Sequence, residues 1–195
     1  MIKKLLILIV ASGAISLYAE EKCVYSYKKE SAALQWTAFK FTERMGVKGR
    51  LTDVQIAADN SASLDGLLAS ASFKIKTSGV NSDNSTRDEK IYKYFFKTMK
   101  GGKKLKGHVE KSENGKMSVI LDMNGIKKSF PADYGYNKGK LIITAAVNTS
   151  DWDSAEAVKL LNQNCSGMHA GKDGKTRLWP DVELVLTADV TKTCN

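Results

Sequence analysis

Lys104-Leu-Lys-Gly-His-Val-Glu-Lys-Ser-Glu-Asn114-Gly115-Lys-Met-Ser-Val-Ile-Leu-Asp-Met-Asn124-Gly125-Ile-Lys-Lys-Ser-Phe130 is the stretch that decides the fold. Leu105, Gly107 and Val109 alternate with Lys104, Lys106 and His108, and Met117, Val119, Leu121 and Met123 make a second face of period two. That period belongs to a strand with one buried and one wet face. Asn-Gly stands at 114–115 and again at 124–125. This dipeptide supplies the two positive φ angles of a tight hairpin turn. Strands over 104–112, 116–123 and 126–131 are therefore expected as antiparallel neighbours.

The same alternation continues outward. Leu141, Ile143, Ala145 and Val147 form one face; Val182, Leu184, Leu186, Ala188 and Val190 form the most regular one. On the other side, Ala69, Ala71, Phe73 and Ile75 alternate with Ser70, Ser72, Lys74 and Lys76. Further strands are predicted at 34–41 and 47–56, with a short first strand at 24–27. In 34–41, Trp36 and Ala38 face one way and Phe39 and Phe41 the other, which implies a bulge or burial on both faces.

Two stretches follow a helical period instead. Residues 85–99 space Ile91, Phe95 and Met99 at i, i+4 and i+8, with Ser85 or Asp83 as the cap and Lys90 on the exposed side. Residues 153–168 place Ala157, Leu160, Leu161 and Cys165 on one stripe, capped by Asp153 or Ser154. The expectation is a mainly β chain: a single antiparallel β-barrel of about eight strands with two short helices. Closure removes the exposed edges that such a sheet would otherwise carry, and a β-sandwich is the alternative. Small residues recur on the inward faces, at Gly49, Ala71, Gly107, Ala145 and Ala188. They leave room for a cavity or fit large partners opposite.

The first nineteen residues read as an address. Lys3 and Lys4 precede an apolar run from Leu5 to Val10, and Ala19 ends the segment where a signal peptidase cuts. The run is shorter than the about 20 residues of a membrane span. Residues 1–19 are therefore expected to be a signal peptide, and 20–195 the mature domain, periplasmic or secreted. Of the formal charge of +9, Lys3 and Lys4 leave with the leader. With 43% hydrophobic, 26% charged and 8% aromatic residues, the composition is that of a folded soluble chain and excludes a disordered or polytopic one. Export puts Cys23, Cys165 and Cys194 where disulfides persist. In an even-stranded up-and-down barrel, Cys23 at the first strand's start and Cys194 at the last strand's end share a rim, so a bridge between them would clasp the seam. Cys165–Cys194 is the competing pair, pinning the second helix.

Catalytic machinery is not visible. The two histidines are His108, at a wet strand position, and His169, at i+4 from Cys165. Two ligands do not make a zinc site. No phosphate loop or nucleophile elbow occurs, and Asp151 and Asp153 serve more simply as caps. The densest basic run, Lys100-Gly-Gly-Lys-Lys-Leu-Lys106, lacks the interleaved aromatics of a nucleic-acid binder. No enzyme, no metal, no cofactor, no nucleic-acid partner and no integral span are expected; self-association as a homodimer is left open.

Thr77-Ser-Gly-Val-Asn-Ser-Asp-Asn-Ser-Thr-Arg87-Asp88-Glu89-Lys90-Ile91, followed by Tyr94-Phe95-Phe96, resembles the YceI-like family, in which a Ser/Thr-rich turn leads to an Arg-Asp pair and a helix ending in paired phenylalanines. Val47-Lys48-Gly49-Arg50-Leu51 is similar to that family's Val-x-Gly-x-Phe strand, and Val119 to Lys128 to its strand, turn and return strand. The second helix, the cysteines and Gly101-Gly102 depart from the pattern. The resemblance implies a lipocalin-like barrel whose apolar tunnel binds an isoprenoid chain, a quinone, a polyprenyl lipid or a fatty amide, without turnover. Candidates for the lining are Trp36, Phe73, Ile75, Ile91, Phe95, Leu121, Ile143 and Leu186. Arg87 is the candidate for the ligand's head, or else bridges Asp88 or a turn carbonyl. The alternative function is a structural or adhesive exported barrel with a filled interior.

Overall fold

A computed structural model describes residues 21–195; the leader expected at 1–19 lies outside them. The strands are β1 (Cys23–Tyr27), β2 (Ala33–Lys40), β3 (Met45–Leu51), β4 (Val54–Ala57), β5 (Ser72–Lys76), β6 (Val80–Asn81), β7 (Lys104–Glu113), β8 (Lys116–Met123), β9 (Ile126–Asn137), β10 (Lys140–Asn148) and β11 (Leu178–Cys194). Short helices interrupt them: α1 (Leu64–Ala69), α2 (Ser85–Ile91), α3 (Ala155–Asn164) and α4 (Ser166–His169). A π-helical turn, Tyr92–Phe96, extends α2.

All the pairings are antiparallel, in the order β4-β5-β7-β8-β9-β10-β11-β2-β3-β6. β3 and β4 are halves of one run broken at Thr52 and Asp53, and this closes the sheet. Its first half pairs with β2, Trp36 opposite Gly49, and its second with β5, Val54 opposite Ile75. The two ends of the ladder thus lie on one stretch of chain. Counting that run once gives eight strands around a barrel. The fold is mainly β and antiparallel, as the alternation predicts.

The hairpins at Asn114-Gly115 and Asn124-Gly125 form as expected, with φ of 51° and 81° at the first and 54° and 73° at the second. Lys138-Gly139 makes a third of the same kind, with φ of 46° and 84°. β1 lies along the C-terminal part of β11 with Cys23 directly opposite Cys194, and the two are bonded. Cys165 is a free, buried thiol, so the competing pair does not form.

The chain departs from the sequence reading at several points. The alternation at 69–76 begins at Ser72, because Ser63 accepts from the Gly66 N–H and starts α1, which claims Ala69. Of the two alternatives for 34–41, burial on both faces holds from Trp36 to Lys40, and the register slip lies in the partner strand: β11 shifts between Leu178 and Val182, around Pro180, which has no N–H to give a ladder. Asn84, rather than Ser85 or Asp83, caps α2 by accepting from the Arg87 N–H. The single helix at 153–168 is two, bent at Cys165, and the buried Ser154 side chain at its start caps nothing. Among the described residues no helix is long and apolar enough to cross a membrane.

Candidate functional site

The barrel's inward faces leave three cavities in a row. The innermost, of about 190 Å³, is lined by apolar side chains and closed at its far end by Leu67 and Leu68 of α1. Asp65 holds that helix in place, accepting from Ser112 Oγ at 3.1 Å and from the Tyr134 hydroxyl. A second cavity of about 170 Å³ lies toward α2 and α3. Leu51, Leu105, Leu121 and Leu184 line both. They form a waist of four leucines between the two chambers.

Both answers to the question of the small inward residues occur. A Cβ on Gly49 would lie 2.2 Å from Cζ2 of Trp36, and one on Gly107 would lie 2.1 Å from the Ile120 carbonyl oxygen and 2.4 Å from Cζ of Phe73. These glycines accommodate large neighbours. Ala71, Ala145 and Ala188 face the innermost chamber instead, where no side chain fills the space they free.

Every residue proposed for the lining borders a chamber. Phe73, Ile75, Ile143 and Leu186 face the inner one, Leu121 the waist, and Trp36, Ile91 and Phe95 the outer one. Ile91 and Phe95 reach it because the π-helical turn follows α2 and brings Phe95 against Phe96 edge to face, with ring centroids 5.1 Å apart. The second helical segment contributes Val158 and Leu161 and so shapes the tunnel's outer half. Leu51, Leu105 and Leu184 escaped the sequence reading as site residues. Leu105 and Leu184 belong to alternating faces and Leu51 ends the Val47–Leu51 motif, but nothing local marks the three as meeting at one level of the barrel.

A third cavity, of about 80 Å³, forms the mouth, where Trp36, Ala38, Phe39 and Ile91 give way to Lys40, Arg87, Cys165 and His169. Arg87 does not bridge Asp88. Its Nε donates to Ser82 Oγ at 2.7 Å and its Nη2 to the Ser82 carbonyl at 2.6 Å, while Asp88 accepts from Ser82 N–H at 2.8 Å and from the same hydroxyl. Lys40 donates to the Met168 carbonyl at 2.9 Å. Lys90 is not the free surface lysine the helix pattern implied: it is half-buried and donates to the Asn164 carbonyl at 3.0 Å.

Burial sets the protonation of this rim. Desolvation, with the fields of Lys40 and Lys90, pulls His169 down to about 4, so its imidazole is neutral at pH 7. Its Nδ1 faces the Asn162 side-chain oxygen at 3.1 Å, which calls for the Nδ1–H tautomer. Burial pushes the Cys165 thiol up, and desolvation followed by the Arg87 charge pulls Lys40 down. No metal cluster arises here; among the described residues the one grouping of three metal-ligand types consists of Glu21 with the disulfide-bonded Cys23 and Cys194.

Comparison with solved structures places this barrel among known ones. A polyisoprenoid binding domain from Saccharophagus degradans, implicated in plant cell wall breakdown, superposes with a TM-score of 0.61 at 14% identity, covering 86% of this chain and 98% of that one. The Campylobacter jejuni YCEI protein gives 0.51 at 22% identity over 80% and 89%. Burkholderia cenocepacia BcnA gives 0.50 at 10% over 82% and 96%. No curated protein matches the sequence. At these identities the likeness is one of fold. The sequence itself carries the family: the YceI-like domain matches residues 25–188, from within β1 to within β11 and across every strand between, and the chain belongs to the YceI-like family.

Proposed function

We propose that this protein is an exported carrier, or sequestering protein, for a long-chain amphiphile of isoprenoid type, held in the barrel with no catalytic turnover. The observation that carries the reading is the pair of apolar chambers in line through the barrel, leading to a mouth with polar groups. An apolar tail taken from water gains about 25 cal/mol for each Å² covered. A cavity formed in advance spares the protein the ordering cost of closing around it. The similar polyisoprenoid binding domain supports an isoprenoid tail. The leader pattern at 1–19 and the Cys23–Cys194 bond support export to an oxidising compartment, periplasmic or extracellular.

The test is native mass spectrometry of protein purified from its own cell envelope, followed by organic extraction. The expected result is an added mass that extraction removes and identifies as a long-tailed amphiphile. Repeated recovery of ligand-free protein, together with failure to take up such compounds in vitro, would overturn the reading in favour of a structural barrel.

A further inference from the structure

We infer that the mouth is built for an anionic head, a phosphoryl or carboxylate group at the end of the apolar tail, with Lys40 and Arg87 as its ligands. The inference rests on the carrier reading and narrows its ligand class.

Lys40 stands at the end of β2 and Arg87 in the first turn of α2, and both are half-buried beside the mouth cavity. Neither forms an ion pair among the described residues. Lys40 gives one ammonium proton to the Met168 carbonyl and stands 4.4 Å from the centre of the Phe41 ring, but has no counter-anion among the described residues. Arg87 is fixed through Nε and Nη2, which leaves Nη1 with both its protons. The adjacent carboxylate, Asp88, reaches Arg87 only through the Ser82 hydroxyl, so it orients the guanidinium without facing the cavity. Lys90 adds a third positive charge behind the rim, and the titratable neighbours, neutral His169 and protonated Cys165, add no negative one.

Some basic side chains elsewhere do have acidic partners. Lys76 pairs with Asp53, Lys116 with Asp133, Lys140 with Asp189 and Arg50 with Asp83. Partly desolvated like charges converging on one cavity are unfavourable unless an anion completes them. The depressed proton affinity of Lys40 agrees: a carboxylate beside it would push the other way. The apolar chambers behind the mouth take a tail but give a charged group no partner, so an anionic amphiphile has one orientation available, head outward.

The experiment uses the full mature chain and N-phenyl-1-naphthylamine, a neutral fluorophore, as the displaced probe of the tunnel. The competitors share one tail: hexadecanol, palmitate and hexadecyl phosphate, with inorganic phosphate as the tail-free control. In the wild type at least one of the two acids should compete about 10-fold or more better than hexadecanol, the scale of a charge-assisted contact. The stronger of the two identifies the head. Lys40→Gln combined with Arg87→Gln should bring that preference within about 3-fold while hexadecanol competes as before. Lys40→Arg and Arg87→Lys, which keep the charge, should preserve it, and Lys128→Gln on the exposed surface should change nothing. Equal competition by all three compounds in the wild type would overturn the anionic head and leave the carrier standing. So would inorganic phosphate competing as well as hexadecyl phosphate. If no compound displaces the probe, the carrier reading falls and this inference with it.

Discussion

Breaking the Cys23–Cys194 bond is the sharpest test of how the barrel is closed. The bond spans a sequence separation of 171, nearly the whole described chain. In the chain-entropy account, a cross-link closing so long a loop restricts the unfolded ensemble by about 5 kcal/mol at 25 °C. In the folded state β1 is also held by five paired positions on β11, by the Tyr25–Ser61 bridge, by backbone bonds from Lys22 to Asn195 and from Lys28 to Asp189, and by Tyr25 and Tyr27 packed against the core. Replacing both cysteines, Cys23→Ser with Cys194→Ser, should therefore lower the unfolding free energy by several kcal/mol. With a urea slope of about 2 kcal/mol per molar, the midpoint falls by roughly 2 M. Trp36, Trp152 and Trp179 report the transition by fluorescence, and reduction of the wild type should reproduce the variant. Cys165→Ser should leave non-reducing mobility unchanged. A shift below about 1 kcal/mol, with peptide mapping showing the bond intact in the wild type, would refute the seam-clasp reasoning, because the unfolded chain would then retain the closure without the bond.

Three further outcomes are expected. Phe95→Ala should weaken ligand retention, measured by extraction after a fixed wash, far more than Lys93→Ala on the exposed side of the same turn; equal effects would mean that the turn packs without gating. Ala145→Phe, which fills the inner chamber, should shorten the retained tails at a stability cost of about 1–3 kcal/mol, and an unchanged tail-length distribution in mass spectra would exclude that chamber from binding. His169 binds a proton below about 4 when folded and below 6.5 when unfolded, so stability is complete above pH 6.5 and is lost as pH falls toward 4, by at most about 3 kcal/mol. Urea midpoints across that range should flatten in His169→Gln, and parallel profiles for variant and wild type would assign the loss to other groups.

The barrel was legible because its information is local. Most strands announce themselves by alternation, though the two-residue β6 does not, and Asn114-Gly115 and Asn124-Gly125 dictate their own backbone angles. Strand order offers the clasp, with Cys165–Cys194 as a competitor that only the structure removes. What stayed hidden depends on contacts across the chain. The helix at Leu64–Ala69 has its apolar residues at i, i+3 and i+4 with a serine cap, but in only six residues the signal is too brief to separate from the strand that follows. The break at Thr52 and Asp53 arises where one strand exchanges β2 for β5 as its neighbour, and alternation carries no record of that exchange. The π-helical turn reflects where Phe95 and Phe96 must point. Arg87 was readable from its motif, whereas Lys40 and His169 sit 129 positions apart and meet only because β2 and α4 end at the same rim.

The ring of Leu51, Leu105, Leu121 and Leu184 has a consequence for timing. In a carrier of this design, a tail short enough to stay in the outer chamber escapes without disturbing the ring. A longer tail has threaded it, and withdrawal then requires those four side chains to yield while the segment passes. Departure rate would thus change in a step once a tail is long enough to cross, and hardly at all with each carbon added on either side. Sorting by tail length would then appear in residence time more than in affinity, releasing short compounds within an encounter and keeping long ones until a recipient draws them out.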